Sequence, residues 1–219
     1  MAEIDFPALL KRFAELGSST VGGALDNLGI DTLVVPPIRP VAQHQRFAGR
    51  AFTVKVVVGR LGTFEPSEFT IPAYIDKAPG GDVIVIDAGG APVSMMGGAA
   101  ALVAKQRGVA AIVVDGGVRD LDEIVASELP MFIRHAVPVS GKTRAKTVAT
   151  NVPVKIGDVS IAPGDIIVGD STGVVVVPVA RAQEVLELCE KADAFDRKMM
   201  ENIRNGMNLG DAARTARGG

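Results

Sequence analysis

Apolar residues recur with helical spacing near both ends of the chain and in short continuous runs between them. Helical spacing, together with capping residues and the glycines that stop each pattern, predicts six helices. They span residues 5–16, from 19 or 20 to 28, 68–78, 97–106, a short segment beginning at Asp120, and 180–205. Pro72 falls inside the third of these, and Gly206 ends the last.

The continuous apolar runs are rich in Val and Ile and predict buried strands. These runs are 51–58, 83–86, 110–114, 152–155, 159–162, 166–168 and 173–177. The first three alternate with helices, which favours an α/β class with a partly parallel sheet. The last four are separated by Gly-Asp or Pro-Gly-Asp turns and predict a meander. Pro36, Pro37 and Pro40 mark a connection, residues 79–82 a turn, and we expect 214–219 to fray.

Composition narrows the classes of function. The 219 residues fit a single domain over 1–219, and a net charge of -2 without a basic run argues against binding nucleic acid. No apolar run is long enough to span a membrane, and the N-terminus does not resemble a signal peptide. Cys189 is the single cysteine, which fits a reducing compartment, so we expect a cytoplasmic protein.

Small residues at Gly97, Gly98, Ala99 and Ala100 would leave the first turn of a helix uncovered. Unpaired N–H groups and the positive end of the helix dipole can bind a carboxylate there. The alternative is that these small residues only let the helix approach the sheet closely.

Arg119 and Asp120 follow a predicted Gly-Gly turn at the carboxyl end of a predicted strand, where ligands gather in open α/β sheets. The guanidinium could neutralise a carboxylate or a developing enolate, or it could form a surface ion pair with Glu123. The Asp120 carboxylate could bind a ligand, or it could cap the following helix with Glu123 as in a capping box.

Several other residues are weaker candidates for metal binding or catalysis. Asp87 and Asp115 could hold metal-bound water or form Asx turns at strand ends. His44 and His135 are far apart, which argues against zinc, so a bound metal would be Mg²⁺ or Mn²⁺ with oxygen ligands. No lysine is a strong candidate for Schiff-base chemistry, and Lys55 is the best of them.

Met95 and Met96 either border a pocket or fill the core, and Cys189 is a packing residue.

The motif of Gly98, twenty residues, Arg119-Asp120, two residues and Glu123 resembles that of a known family. It is similar to the 4-hydroxy-4-methyl-2-oxoglutarate / 4-carboxy-4-hydroxy-2-oxoadipate aldolases, which share a fold with bacterial regulators of ribonuclease E activity. The resemblance covers about residues 15–206. Its supporting matches are Ser19-Thr20 with Asp26, residues 51–54, 163–167, Gly169-Asp170 and 173–178.

The resemblance implies a three-layer β/β/α fold of the swivelling-domain type with a closing C-terminal helix. It also implies a divalent-metal-dependent pyruvate aldolase with oxaloacetate decarboxylase side activity. By the resemblance, Asp120 binds the metal, Arg119 contacts the substrate near its keto oxygen, and the amides of residues 97–100 bind the pyruvate carboxylate. Asp120 and Arg119 are thus the expected catalytic residues, and a small 2-keto acid is the expected substrate.

Two departures from the family accompany these expectations. Some family aldolases carry, in place of Gly98, an acid that helps to organise the water shell of the metal. In this chain another residue must take that role, and Asp115 is one candidate. In relatives the general base is proposed to come from the closing helix of a neighbouring subunit. On this chain Asp196 lies nearest the expected place, with Glu190 and Glu201 as alternatives.

The resemblance also implies a homotrimer or a homohexamer with sites at subunit boundaries. Two other functions remain open: a non-catalytic binding protein like the ribonuclease regulators, and a dedicated oxaloacetate decarboxylase. Regulator-type relatives can lack the aspartate after the arginine, so the presence of Asp120 favours catalysis.

Overall fold

The computed structural model describes residues 5–31 and 38–218. The helices in these stretches are α1 (Phe6–Glu15), α2 (Ser18–Asn27), α3 (Pro72–Ile75), α4 (Gly98–Gln106), α5 (Leu121–Ala126), α6 (Ala182–Arg204) and α7 (Leu209–Ala216). The strands are β1 (Arg39–Pro40), β2 (Phe47–Val58), β3 (Val83–Ser94), β4 (Ala111–Val118), β5 (Met131–Ala136), β6 (Ala145–Thr150), β7 (Val154–Ile156), β8 (Val159–Ile161), β9 (Ile166–Asp170) and β10 (Gly173–Val177).

A mixed sheet forms the framework, in the order β1-β5-β4-β3-β2-β9-β10, with β6 paired to β2 beside that path. Strands β2 to β5 run parallel. The long strand β2 pairs with antiparallel β9 through its first residues and with antiparallel β6 through its last. β7 and β8 form a separate hairpin. The parallel strands therefore bring their carboxyl ends to one edge, where loops can build a site.

Alternation along the parallel strands divides the core into two faces. Ile84 and Ile112 point to the face covered by α3, α4 and α5, where they pack with Tyr74 and Ile124. Val85 and Val113 point to the other face and pack against the β7–β8 hairpin and the β9–β10 pair. Helices α1, α2 and α6 cover the far side of β9 and β10 through a third cluster.

This layering confirms the α/β three-layer fold that the resemblance implies, with α6 as the closing helix. Asp5 accepts a hydrogen bond from Ala8 N and caps α1, and Gly29, with φ 67°, follows the end of α2. The bounds of α1, α2, α4 and α6 agree with the prediction to within two residues. Pro36 and Pro37 lie outside the described residues, and Pro40 belongs to β1. Within the described residues, no helix is long and apolar enough to cross a membrane.

Several predicted elements are wrong. Residues 68–78 do not form one helix: a 3-10 turn at Pro66–Glu68 and the short α3 stand in its place, because Pro72 cannot continue a helix from the residues before it. Residues 214–219 do not fray as a unit, since α7 runs to Ala216 and is held to α6 by a 3.2 Å hydrogen bond from Asn202 Nδ2 to Ala212 O. Gly219 lies outside the described residues.

The central strands are also longer than predicted. β3 continues through Gly89 and Gly90, which have φ of 62° and 72° and accompany an irregular register with β4. β4 continues through Gly116 and Gly117, so this glycine pair is buried strand and not a turn. A β-carbon at Gly117 would lie 2.7 Å from Val93 O, so the pair permits close packing of the two strands. The C-terminal strands do not form one meander, because β9 and β10 join the main sheet while β7 and β8 do not.

Candidate active site

Asp120 lies at the junction of β4 and α5, in a left-handed backbone conformation with φ 59° and ψ 48°. Aspartate tolerates this region at modest strain, and residues strained in this way concentrate at functional sites. Its carboxylate makes no hydrogen bond to the first turn of α5. The capping alternative for Asp120 is therefore wrong, and its side chain is 42% exposed.

The Asp120 carboxylate turns back onto the start of α4. A β-carbon at Gly97 would overlap Asp120 Oδ2 and would lie 3.2 Å from Arg119 Nε. Arg119 Nε itself lies 3.4 Å from Asp120 Oδ2, so the arginine pairs with its neighbour and not with Glu123. Gly97, Arg119 and Asp120 thus form one cluster, which carries a glycine backbone, a cation and a carboxylate.

The first turn of α4 has no side-chain cap. Its first intrahelical hydrogen bond runs from Ala101 N to Gly97 O, so the N–H groups of Gly98, Ala99 and Ala100 have no acceptor within the helix. A small residue is needed for close packing at Gly98, but against a helix and not against the sheet as expected: a β-carbon there would overlap Cβ of Glu123 on α5. Free amides and a close helix contact therefore coexist in this turn.

An open cavity of about 290 Å³ extends from Gly97 and Arg119. Phe69, Ile71 and Met96 form an apolar wall, and the loop from Ser140 to Lys142 also lines the cavity, with Gly141 packed against the ring of Phe69. On the other side of Arg119 a second depression, of about 410 Å³, is lined by Asp120 with Val137 and Pro138. Arg119 borders both spaces, so a ligand in either would meet its guanidinium.

Three hydrogen bonds fix the segment that leads into Gly97. Tyr74 donates its hydroxyl to Met95 O at 2.8 Å, and Ser94 Oγ donates to Met96 O at 2.7 Å. Arg119 N also donates to Met96 O, at 3.2 Å. Tyr74 is completely buried, and this burial raises the pKa of its hydroxyl well above the ordinary value. Of the two methionines, Met95 fills the core and Met96 lines the cavity.

Four charges lie side by side on the opposite face of strands β2 to β5. Lys55 Nζ lies 2.7 Å from Asp87 Oδ2, Asp87 is the register neighbour of Asp115, and Asp115 is bound by Arg134. We call these four residues the charge ladder. Both carboxylates are almost fully buried.

The charge ladder corrects two expectations. Asp115 is engaged by Arg134 and lines neither depression, so the suggestion that it organises water around a metal is wrong. Asp87 makes an Asx-type bond, since its Oδ1 accepts from Gly89 N, and its Oδ2 accepts from Lys155 N. Lys55, the weak Schiff-base candidate, has its ammonium held in an ion pair outside the cavity.

The three candidates for the general base lie on α6. This helix packs on α1 and α2, in the cluster beyond β9 and β10, and none of its residues lines either depression. Glu190 forms an ion pair with Arg12 of α1. A base from α6 of the same chain is thus inconsistent with the structure, while Asp196, Glu190 or Glu201 of a neighbouring subunit stays a prediction.

The residues present fit a hydrated divalent cation. Within residues 5–31 and 38–218, no three His, Cys, Asp or Glu side chains form a metal cage. Mg²⁺ needs no such cage, because it keeps several waters and usually takes one or two carboxylates with ligand oxygens from the substrate. The uncapped, half-exposed carboxylate of Asp120 offers that kind of ligand in the second depression, beside Arg119.

Sequence reasoning missed much of the cavity lining. Phe69 and Ile71 were assigned to a helix that does not form, and Gly141 and Lys142 lie between β5 and β6, two strands that were not predicted. Tyr74 was also missed as the support of the Met95 carbonyl. One signal was available: the segment Val139-Ser140-Gly141-Lys142 has the composition of a turn between two apolar stretches.

Comparisons with known proteins find both similar sequences and similar structures. The profile of a family described as RraA-like: Aldolase/RraA matches residues 18–176. A Halalkalibacterium halodurans protein, provisionally named 4-hydroxy-4-methyl-2-oxoglutarate aldolase, is 36% identical over 197 residues, which cover 89% of this chain and 87% of that protein.

Two solved structures are similar over nearly the whole chain. An uncharacterised protein from Pseudomonas syringae pv. tomato superposes with a TM-score of 0.85 at 31% identity, covering 94% of this chain and 96% of that one. Streptomyces coelicolor RraAS2, described as an unusual member of the RNase ES inhibitor RraA protein family, gives a TM-score of 0.78 at 27% identity, covering 94% of this chain and 100% of that one.

Proposed function

The chain belongs to the RraA-like family, and on that premise we propose that it is a divalent-metal-dependent lyase. Its proposed reaction is the cleavage of a 4-hydroxy-2-oxo acid, such as 4-hydroxy-4-methyl-2-oxoglutarate or 4-carboxy-4-hydroxy-2-oxoadipate, to pyruvate. The observation that carries the proposal is the uncapped carboxylate of Asp120, beside Arg119 and against the bare start of α4.

The start of α4 binds the carboxylate of the 2-oxo acid in this proposal. The N–H groups of Gly98, Ala99 and Ala100 lack acceptors within the helix, and the helix dipole places partial positive charge at the same end. The hydrogen bonds from Tyr74 and Ser94 hold the preceding segment in one conformation, so binding requires little reorganisation.

Arg119 stabilises the negative charge that develops on the keto oxygen as the bond between C3 and C4 breaks. A divalent cation held by Asp120 would polarise the same carbonyl as a Lewis acid. The apolar side chains of Phe69, Ile71 and Met96 limit the water around the reacting carbons, which strengthens the electrostatic interactions in the cavity.

The remaining requirement is a base for the C4 hydroxyl proton. Among the residues lining the two depressions, Asp120 is the only carboxylate. We therefore place the base on α6 of a neighbouring subunit, in a homotrimer or homohexamer. The outer face of α4 and α5 supports such an assembly, because Leu102, Val103 and Val125 are 50%, 40% and 47% exposed beside the site.

Oxaloacetate decarboxylation is the expected side activity. It passes through the same enolate but requires no hydroxyl deprotonation, so Arg119, Asp120 and the α4 amides suffice for it. A dedicated oxaloacetate decarboxylase is thus a second candidate, and the absence of any second carboxylate among the lining residues favours it.

A binding protein is the third candidate. The similar Streptomyces protein is described as a member of an RNase ES inhibitor family, and the exposed apolar face of α4 and α5 could serve a protein partner. The free Asp120 carboxylate favours catalysis over this alternative, because a docking surface has no need of an uncapped acid under strain.

The test is pyruvate release from 4-hydroxy-4-methyl-2-oxoglutarate and from oxaloacetate, measured with Mg²⁺, with Mn²⁺ and after chelation. The proposal predicts release from both that disappears with the chelator and with Asp120→Asn. Release from oxaloacetate alone would support the dedicated decarboxylase. No release from either by an intact oligomer would favour the binding protein.

A further inference from the structure

A third open cavity, of about 550 Å³, lies at the end of the parallel strands that is away from Asp120. Asp82 and Ala110 line it, and they directly precede β3 and β4. Gly97 and Arg119, in contrast, follow the carboxyl ends of these two strands. The eight residues of β4 separate the two places by roughly 25 Å. The volume is in the range of small-molecule sites, and the proposed reaction does not use this cavity.

One part of the cavity lining is an apolar stripe of α1. Phe6, Leu10 and Ala14 recur at intervals of four residues, so they lie on one face of the helix. They are only partly buried, whereas Leu9 and Phe13 of the same helix are buried in the third core cluster. The protein therefore packs one stripe of α1 in its core and leaves a second apolar stripe beside open space.

Small residues keep the rest of the apolar lining open. No side chain larger than a methyl group is contributed by Ala48, Gly80, Gly81 and Ala110. Gly81 has φ 85°, in the left-handed region that favours glycine, so this position resists a side chain that would fill the space. The cavity can therefore accept the hydrocarbon part of a ligand against the α1 stripe.

The polar part of the lining is a pair between Arg50 and Asp82. Arg50 Nε donates to Asp82 Oδ1 at 3.2 Å, and the Asp82 side chain is only 10% exposed. Burial raises the pKa of the Asp82 carboxyl, and Arg50 opposes that shift. Within residues 5–31 and 38–218, Nη1 and Nη2 of Arg50 have no acceptor. Asp82 thus orients the guanidinium through one nitrogen and leaves its two terminal nitrogens for a ligand.

The lining carries a surplus of positive charge. Lys11 and Arg50 are its cations and Asp82 is its one carboxylate. Lys11 forms no ion pair with any other residue that the structure describes. Protonation of Asp82 would only increase the surplus. A ligand with one negative charge and an apolar body therefore matches both parts of the cavity, whereas an amphipathic cation would be repelled.

We propose that this cavity binds an amphipathic monocarboxylate, with its carboxylate on the terminal nitrogens of Arg50 and its hydrocarbon chain along Phe6, Leu10 and Ala14. The site binds this ligand without changing it chemically. It is independent of the reaction proposed at Asp120, because it uses other residues at the other end of the strands.

Three probes separate the two parts of this site. Hexanoate has a carboxylate and a chain, hexanamide has nearly the same shape without the charge, and acetate has the carboxylate without the chain. Their dissociation constants would be measured by calorimetry on the full-length protein without added metal, for the wild type, Arg50→Gln and Ala14→Leu. Arg60→Gln is the matched control, because this exposed arginine lies two residues beyond the other end of β2.

The wild type and Arg60→Gln are expected to bind hexanoate roughly 10- to 100-fold more tightly than hexanamide, the range for a charge-assisted hydrogen bond. They should bind acetate at least about tenfold more weakly than hexanoate, since each buried methylene group contributes about fourfold. Arg50→Gln should bind hexanoate and hexanamide with similar affinities. Ala14→Leu keeps every charge but fills apolar space, so it should weaken both of these ligands by about tenfold, the value of two methylene groups.

Several results would overturn the proposal. These are no hexanoate binding by the wild type, equal affinities of the wild type for hexanoate and hexanamide, and an unchanged preference for hexanoate in Arg50→Gln. If Arg50→Gln does not fold, because Asp82 loses its cation, Ala14→Leu decides the matter. Wild-type affinity of Ala14→Leu for both ligands would show that the α1 stripe is not the binding surface.

Arg119→Gln separates this site from the start of α4, where a carboxylate could also bind. It should bind hexanoate within about twofold of the wild type, a margin well below one charge-assisted hydrogen bond. Loss of hexanoate binding in Arg119→Gln would assign the ligand to the candidate active site and overturn the proposal. Pyruvate release does not enter this measurement, so failure of the proposed reaction and failure of this site are distinguishable.

Discussion

The carboxylate of Asp120 lies so close to Gly97 that it leaves no room for a β-carbon there. Gly97 has φ -141° and ψ -169°, an extended conformation open to any residue, so glycine is required there for space and not for backbone freedom. The left-handed backbone of Asp120 directs its side chain to this place and away from the helix that it precedes. These two residues together create the candidate metal ligand.

Gly97→Ala is therefore expected to displace Asp120 and to reduce kcat/KM for oxaloacetate by about 100-fold or more, as small misplacements of catalytic groups do. The melting temperature should change little, because the Asp120 side chain is half-exposed and can move. Gly23→Ala is the matched control, since a β-carbon there meets nothing within 4 Å on an exposed face of α2. Full activity in Gly97→Ala would show that the position of Asp120 is unimportant.

Gly98 and Glu123 allow a second test of the packing between α4 and α5. Gly98→Asp alone should destabilise the protein, by about 1–3 kcal/mol, because its β-carbon overlaps that of Glu123. Adding Glu123→Ala removes every side-chain atom beyond that β-carbon but keeps the β-carbon itself, so it should recover only part of the loss. Urea unfolding of the two single variants and the double variant gives the coupling energy. Strictly additive effects would mean that the two side chains do not compete for this space.

Tyr74 predicts a pH dependence of stability. Burial raises the pKa of its hydroxyl in the folded state, whereas the unfolded state ionises near pH 10. The contribution of Tyr74 to the free energy of unfolding is therefore fully present below about pH 10, and it is lost as the pH rises toward the raised pKa of the folded state. Tyr74 is the only tyrosine and the chain has no tryptophan, so absorbance near 295 nm follows this one group. That signal should appear only with unfolding.

Tyr74→Phe supplies the comparison for this pH dependence. It should lower stability at pH 8 by about 1–3 kcal/mol, because the buried Met95 carbonyl loses its donor, and it should remove the tyrosine part of the alkaline slope. Urea midpoints for both proteins between pH 8 and pH 11 measure this. Parallel curves for the two proteins would contradict the assignment.

The charge ladder should contribute to stability and not to catalysis. Arg134→Met would leave Asp115 buried without its cation and is expected to lower stability by about 3–5 kcal/mol. Arg214→Met breaks an exposed pair with Asp211 and should change stability by less than about 1 kcal/mol. The folded fraction of Arg134→Met should retain the wild-type KM for oxaloacetate. A raised KM would connect the ladder to the cavity.

The sequence predicted the elements whose pattern is local. The capped α1, the amphipathic α6 and the apolar cores of β3 and β4 follow from spacing, because one face or both faces of each is buried. β5 and β6 were not predicted, since β5 carries Arg134 and His135 and β6 mixes polar residues along an incompletely buried strand. Their pairing depends on neighbours that are distant in the chain.

The candidate site was also predictable only in part. The resemblance identified Arg119, Asp120 and the start of α4, and the structure places them together. The sequence could not show whether the Asp120 carboxylate caps α5 or stays free of it, because capping depends on the backbone conformation of Asp120. Phe69, Gly141 and Lys142 reach the cavity only through tertiary contacts between separate loops, which leave no periodic signal.

The central claim is that the Asp120 carboxylate binds a divalent cation beside a 2-oxo acid. Its most direct test is a crystal structure of the protein with Mn²⁺ and pyruvate, using the anomalous signal of the metal. We predict a peak within about 2.0–2.3 Å of an Asp120 carboxylate oxygen, the range for such ions, with the pyruvate carboxylate on the amides at the start of α4. A crystal with no metal at Asp120, or with its carboxylate bonded to the first turn of α5, would contradict the account.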